Sequence, residues 1–188
     1  NGVLSAIWQG DYVRVGWQGQ GSGNFDPLGK HLQLAQDVAF LGGAEPPSSW
    51  PIHPVTTKQE PVNPDPLYPR NHGYAFLGYS FDTATQVPTF RYRCGEILID
   101  DTTQGTTKSL KRVISLTTSK EEAVWFRALT GMIEAESKTV FKTSDLKVTI
   151  ENGTALLRAT PDGGQELLLK LVLPNGKSNT IIDYELLR

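Results

Sequence analysis

The residues able to do chemistry in this chain are few and unevenly spread. Its three histidines are His31, His53 and His72, and its one cysteine is Cys94. The spacing of His53 and His72 fits no zinc motif, and a metal site built on them would also need a carboxylate such as Asp65. No metal site is therefore assigned. A lone cysteine excludes an intrachain disulfide, a CxxC redox pair and the covalent attachment of a c-type haem. Cys94 lies in an alternating run with no histidine nearby, so it is expected to be a buried, inert thiol. Paired carboxylates run glycoside hydrolysis when they face one another across a cleft. The acids that offer themselves are Asp82, Asp100 and Asp101. Adjacent Asp100 and Asp101 point to opposite faces of a strand, which makes them a poor pair. No Gly-x-Ser-x-Gly elbow, phosphate loop or dinucleotide fingerprint is present, and "GQGSG" at Gly19–Gly23 opens no apolar helix.

Binding chemistry is better represented. Eight of the twelve prolines lie between Pro46 and Pro69, in a loop running from about residue 42 to 73. Connections of this length are usually functional or disordered, and proline lowers the entropy lost when they order. The loop carries Trp50, His53, Tyr68 and His72. Trp50 and Tyr68 are candidate stacking platforms on one wall of a ligand cleft. The alternative is a plain strap over a sheet edge. Beyond the loop, "GYSFDTATQVPTFRYRC" alternates through Tyr79 and Phe81, turns at Asp82–Gln86 and begins again at Pro88. Phe90, Tyr92 and Cys94 then share one face, and Arg91 and Arg93 share the other. Exposed arginines bind carboxylates in bidentate fashion, which brings an acidic sugar into view. The ligand-binding candidates are thus Trp50, His53, Tyr68, His72, Arg91 and Arg93.

The elements that must position these residues read as strands. Period-two alternation dominates, with runs at residues 5–15, 74–81, 89–100, 110–117 and 123–128. Of the four tryptophans, Trp8 and Trp125 fall in such runs and are expected in the core. After residue 145, "LKVTI", "TALLRAT", "QELLLKLVL" and "NTIIDYELL" are separated by Asn152-Gly153, Pro161-Asp162-Gly163-Gly164 and Pro174-Asn175-Gly176, which is hairpin chemistry. Residues 145–188 are accordingly expected to form a β-meander, and the Asn152-Gly153-Thr154 sequon is read as a turn. Helix is confined to a turn at Ser119–Glu122 and a weaker candidate at Leu28–Gln36. The expected fold is all-β: one domain over 1–188, an antiparallel sandwich of about ten strands with one long proline-rich loop.

Composition narrows the function classes. At 188 residues, 38% hydrophobic and 20% charged, the chain is an ordinary globular domain. A net charge of −2 provides no basic stripe for nucleic acid. No apolar run is long enough for a membrane-spanning helix. The chain opens at Asn1 without a leader, and is expected to be a piece of something longer.

"AIWQGDYV", "DPLG", "SSWP", "LGYSFDTATQVPTFRYRCGEILIDD" and "LKRVISL" together resemble an uncharacterised β-rich domain of large exported bacterial proteins. Those proteins also carry c-type cytochrome modules and sugar-dehydrogenase-like propellers. The resemblance implies a periplasmic or extracellular parent linked to haem-dependent electron transfer or carbohydrate oxidation. It carries over no catalytic residue. The expectation is a non-catalytic accessory or binding module whose partner is a carbohydrate or a neighbouring redox domain. No cofactor is expected in this domain, although haem belongs to the parent. The rival readings are a polysaccharide-acting hydrolase or lyase, with acids from Asp82, Asp100 or Asp101 and a histidine from the loop, and a haem-binding domain using His53 or His72 as axial ligand.

Overall fold

The computed structural model describes residues 4, 6–11, 13–19, 22–34, 38–50, 74–120 and 122–187. They form sixteen strands and one turn of 3-10 helix at Pro174–Gly176. The strand count exceeds the ten read from sequence because several runs divide. Residues 5–15 yield β1 (Ala6–Gln9) and the start of β2 (Val13–Gln18), which makes a ribbon with β3 (Ser22–Pro27) where glycines suggested a break. The helix candidate at Leu28–Gln36 is instead β4 (Lys30–Gln33), paired antiparallel with β1. Ser119–Glu122 contributes no helix among the described residues. A weak local helical preference loses wherever a strand partner is on offer.

Two larger sheets carry the core. β5 (Phe40–Gly42), β10 (Ala123–Gly131), β14 (Thr154–Ala159) and β15 (Gln165–Val172) form a four-stranded sheet in the order β14-β15-β10-β5. The eight-stranded sheet takes β6 (Tyr74–Phe81), β7 (Pro88–Cys94), β8 (Ile97–Gly105), β9 (Ser109–Thr117), β11 (Glu134–Ala135), β12 (Val140–Lys142), β13 (Leu146–Glu151) and β16 (Lys177–Leu186). Its order is β11-β12-β13-β16-β9-β8-β7-β6. All pairings are antiparallel, and the two sheets pack as a sandwich.

The C-terminal strands are not a meander. β13 pairs with β16 in the large sheet, whereas β14 and β15 lie in the small one. Asn152 does adopt the left-handed backbone that Asn-Gly favours, with φ +60°. It turns a corner between sheets, not a hairpin within one. A Cβ on Gly153 would sit 3.6 Å from Ile150, Leu171 and Thr180, and the Thr180 hydroxyl donates to the Asn152 carbonyl at 2.6 Å. The reason is burial. Leu146, Val148 and Ile150 face inward from one sheet, and Leu167, Leu169 and Leu171 from the other, all 2% exposed or less. Each such side chain is worth about 1.5–3 kcal/mol when fully buried. A flat meander would have placed both sets on one surface with nothing between them.

One ion pair sits inside this apolar interior. Arg112 on β9 and Asp101 on β8 are 3% and 2% exposed, and Arg112 Nε donates to Asp101 Oδ1 at 2.8 Å. Arg112 Nη2 closes the second arm of the fork on Asp101 Oδ2. The guanidinium also lies 4.8 Å from the Phe126 ring centroid. Burial opposes its charge, but Asp101 holds the guanidinium above its ordinary pKa. Around the pair, burial pushes the hydroxyls of Tyr92 and Tyr184 up to about 12.

Two outcomes follow from this interior. Arg112→Met leaves the Asp101 charge buried and alone, and should cost about 3–5 kcal/mol in urea denaturation, whereas the Asp101→Leu/Arg112→Met double variant recovers most of the loss. A raised tyrosine pKa means the native state holds its proton more tightly than the unfolded chain. Stability is therefore complete below pH about 10 and falls as pH climbs toward about 12. Alkaline titration of the Tyr92→Phe/Tyr184→Phe variant should show a shallower fall.

Candidate functional site

The small sheet is buried on both faces, and this decides the fate of Trp50. Residues 43–50 fold over its outer face, where Val38, Leu41, Trp50, Trp125 and Leu168 make a second apolar cluster. Trp50 is 4% exposed and its indole N–H donates to the Val38 carbonyl at 2.8 Å. The Arg158 guanidinium donates to the Pro47 carbonyl and pairs with buried Glu166. The expected stacking platform is thus a structural anchor, because the first part of the proline-rich loop straps down a sheet face. His53, Tyr68 and His72 lie outside the described residues.

Arg91 and Arg93 are exposed on the outer face of the large sheet, opposite Tyr92 and Cys94, as the alternation indicated. Arg91 is occupied: its Nε donates to Asp100 Oδ1 at 2.7 Å and its Nη2 to Oδ2 at 3.3 Å. Asp101 faces inward to Arg112, so the adjacent acids are separated by the thickness of the sheet. The Asp82 carboxylate caps its own turn. The Thr85 backbone N–H, the Thr85 hydroxyl and the Ala84 N–H all donate to it and hold its pKa below the usual range. The three acids nominated for hydrolysis thus occupy separate settings. Cys94 is 3% exposed with Sγ 3.9 Å from the Phe40 carbonyl, and burial pushes its thiol pKa up. Among the described residues no group of three or more His, Cys, Asp or Glu gathers in a metal-holding cluster.

The open site lies elsewhere. β1 crosses one end of the large sheet and is tethered there by the Gln9 side chain, which donates to the Thr107 carbonyl at 2.9 Å. On the partner strand of this two-stranded sheet, Lys30 of β4 reaches Asp145 at 3.3 Å. Between β1 and the large sheet remains a cleft of about 630 Å³. Trp8 lines one wall, half-buried, and Leu110, Tyr184 and Leu186 line the floor. The β8–β9 turn supplies Thr106, Lys108 and Ser109 to the rim, with Thr103 close by. That turn is preorganised: the Thr106 N–H donates to the Ser109 carbonyl at 2.7 Å, and the Ser109 N–H returns to the Thr106 hydroxyl at 2.9 Å. A cleft of this volume with apolar walls and a few fixed polar groups is the usual form of a small-ligand site.

Sequence reasoning placed Trp8 in the core. Alternation reports which side of a strand a ring occupies, not whether anything covers that side. The signal available was Trp8 followed at once by Gln9-Gly10-Asp11, too short a run to be enclosed.

No protein-family model matches this chain, and no curated protein does. The resemblance to the domain of cytochrome-bearing proteins therefore stands on its motifs alone. Among solved structures, a heparinase III gene product superposes with a TM-score of 0.44 at 11% identity. The match covers 62% of this chain and 22% of that one, so the chain spans about a fifth of its length. Agreement at that level transfers neither fold nor activity.

Burial of Cys94 has a direct readout. The native protein should leave an aromatic disulfide reagent unreacted at mildly alkaline pH, and release one equivalent of chromophore only when denaturant unfolds it. Rapid reaction of the folded protein would show that the thiol is open.

Proposed function

We propose that this domain is a non-catalytic carbohydrate-binding module, and that the cleft beside Trp8 is its ligand site. The observation that carries the reading is the composition of that cleft: an indole and aliphatic floor on one side, hydroxyl and amide groups on the other. Sugars present the same two surfaces. The C–H face of a pyranose ring stacks on an aromatic face, and its hydroxyls require donors and acceptors at the edge. Thr103, Thr106, Ser109 and Gln9 supply these groups from backbone held by hydrogen bonds, which limits the ordering cost of binding. The dispositions of Asp82, Asp100 and Asp101 speak for binding over hydrolysis, since each is engaged by its own partners.

Placement in a larger exported protein, serving haem-dependent electron transfer or carbohydrate oxidation, is part of the same proposal. It is supported by the sequence resemblance. In that setting the domain would hold a saccharide, or a neighbouring redox domain, near chemistry performed elsewhere.

Isothermal calorimetry against a panel of neutral and acidic oligosaccharides tests the reading. Binding of at least one saccharide is expected, with Trp8→Ala weakening it by about tenfold or more, the usual loss when a central aromatic anchor is truncated. The variant should keep its far-ultraviolet dichroism. Absence of binding across the panel, or full affinity in Trp8→Ala, would overturn it.

A further inference from the structure

The cleft does not end at its wall. Pro88, which lines it, pairs across β6 and β7 with Phe81, and two positions on Phe90 pairs with Tyr79. Ring contacts place these side chains on the inner face of the large sheet. Tyr79 and Phe81 meet edge to face at 5.4 Å, Tyr79 and Phe90 at 6.2 Å, and Phe76 and Tyr92 at 5.5 Å. An inner face should be covered, and Tyr92 is, since β5 lies over β7 with Phe40 at 6.2 Å from it. The small sheet stops at β5. Beyond it Phe76, Tyr79 and Phe81 remain 53%, 63% and 55% exposed, an aromatic row left open on an edge strand. From Phe76 to Phe81 the row is about 16 Å long at the strand rise of about 3.3 Å per residue. With the cleft added, the track is longer than a disaccharide.

Charge narrows the occupant. Among the described residues that line the cleft, Lys108 is the one ionised side chain, it is exposed, and none of the others is acidic. Asp82, next to Phe81, has its carboxylate folded into its own turn. Arg91 and Arg93 lie on the far face, and Lys30 is paired with Asp145. A lysine at this rim can donate to a neutral sugar hydroxyl, but a sugar carboxylate gains the stronger, charge-assisted bond.

We propose that the cleft and the β6 aromatic row form one continuous track for an extended anionic polysaccharide. A uronate carboxylate meets Lys108, and successive sugars pack along the side chains of Phe81 and Tyr79. This rests on the carbohydrate reading above and adds to it a charge and a length. The row by itself would serve any apolar partner. Its continuity with a polar, lysine-rimmed cleft is what selects a saccharide chain.

Calorimetry with trimeric and hexameric oligogalacturonates, and cellohexaose as the neutral control, tests it on the whole chain. The hexamer should bind about tenfold more tightly than the trimer, and Tyr79→Ala/Phe81→Ala should remove that gain while leaving trimer affinity in place. Both side chains are exposed, so the fold should survive, as dichroism would confirm. Lys108→Gln should weaken both oligouronates about fivefold and flatten their salt dependence, and Lys108→Arg should restore both. Equal affinities for trimer and hexamer would overturn the inference while leaving the carbohydrate reading standing. So would a length gain that survives Tyr79→Ala/Phe81→Ala, or cellohexaose binding as tightly as hexagalacturonate. If no oligosaccharide binds at all, the carbohydrate reading falls with it.

Discussion

Two sheets of unequal width set the terms for the whole molecule. At the usual spacing of about 4.8 Å between strands, eight strands span about 34 Å and four only about 14 Å. The inner face of the large sheet is therefore wider than the surface that can be laid on it. Where the two overlap, Ile99, Ile114, Leu116 and Ile182 join Leu167, Leu169 and Leu171 in one buried apolar cluster. Where they do not, something else must cover the face, or it stays open. At one end β1 and β4 make a partial cover and leave a cleft beneath. At the β6 edge the aromatic row is more than half exposed.

The same mismatch explains why the small sheet is doubly enclosed. A four-stranded sheet offers little apolar area on its own, and the first part of the proline-rich loop adds a layer on its outer face around Trp50 and Trp125. That layer covers charges as well as rings. Glu166 is 2% exposed and sits between Arg127 at 3.0 Å and Arg158 at 2.6 Å. Buried pairs of this kind contribute less to net stability than to fixing one arrangement, since any slippage strands a charge without its partner. The Asp101–Arg112 pair does the same on the inner face. It spans β8 and β9, whose register places Asp101 opposite Ile114 and Thr103 opposite Arg112. A slip of either strand by one residue would turn its charge to the outer face, leave the other buried without its partner, and break the row of isoleucines.

The unsheltered face then accounts for the chemistry. Among the described residues the acids named for hydrolysis do not pair: Asp101 faces inward to Arg112, Asp100 pairs with Arg91 on the surface, and Asp82 caps its own turn. What remains is shape and surface: an indole, a row of rings, fixed hydroxyls and one lysine. On the reading proposed above, such a surface holds and orients a chain of sugars.

Much of this was legible in the residues themselves. Alternation gave the strands between Tyr74 and Ala128 and those after residue 145, though not β11 or β12, and it gave the inward set of Phe90, Tyr92 and Cys94 and the opposed directions of Asp100 and Asp101. Turn chemistry located Asp82–Gln86 and the left-handed backbone at Asn152. These are local consequences of backbone sterics and a two-residue repeat, and need no knowledge of partners. What only the tertiary structure decided is which strands meet and which faces are covered. Asn152-Gly153 serves equally as a hairpin or as a corner between sheets, and the choice fell to the leucines of β15, which needed an opposing layer. Trp50 and Trp8 carry the same side chain in similarly unremarkable surroundings. One was buried by a strap and the other left at a cleft, because coverage is settled by long-range packing that no short stretch of chain encodes.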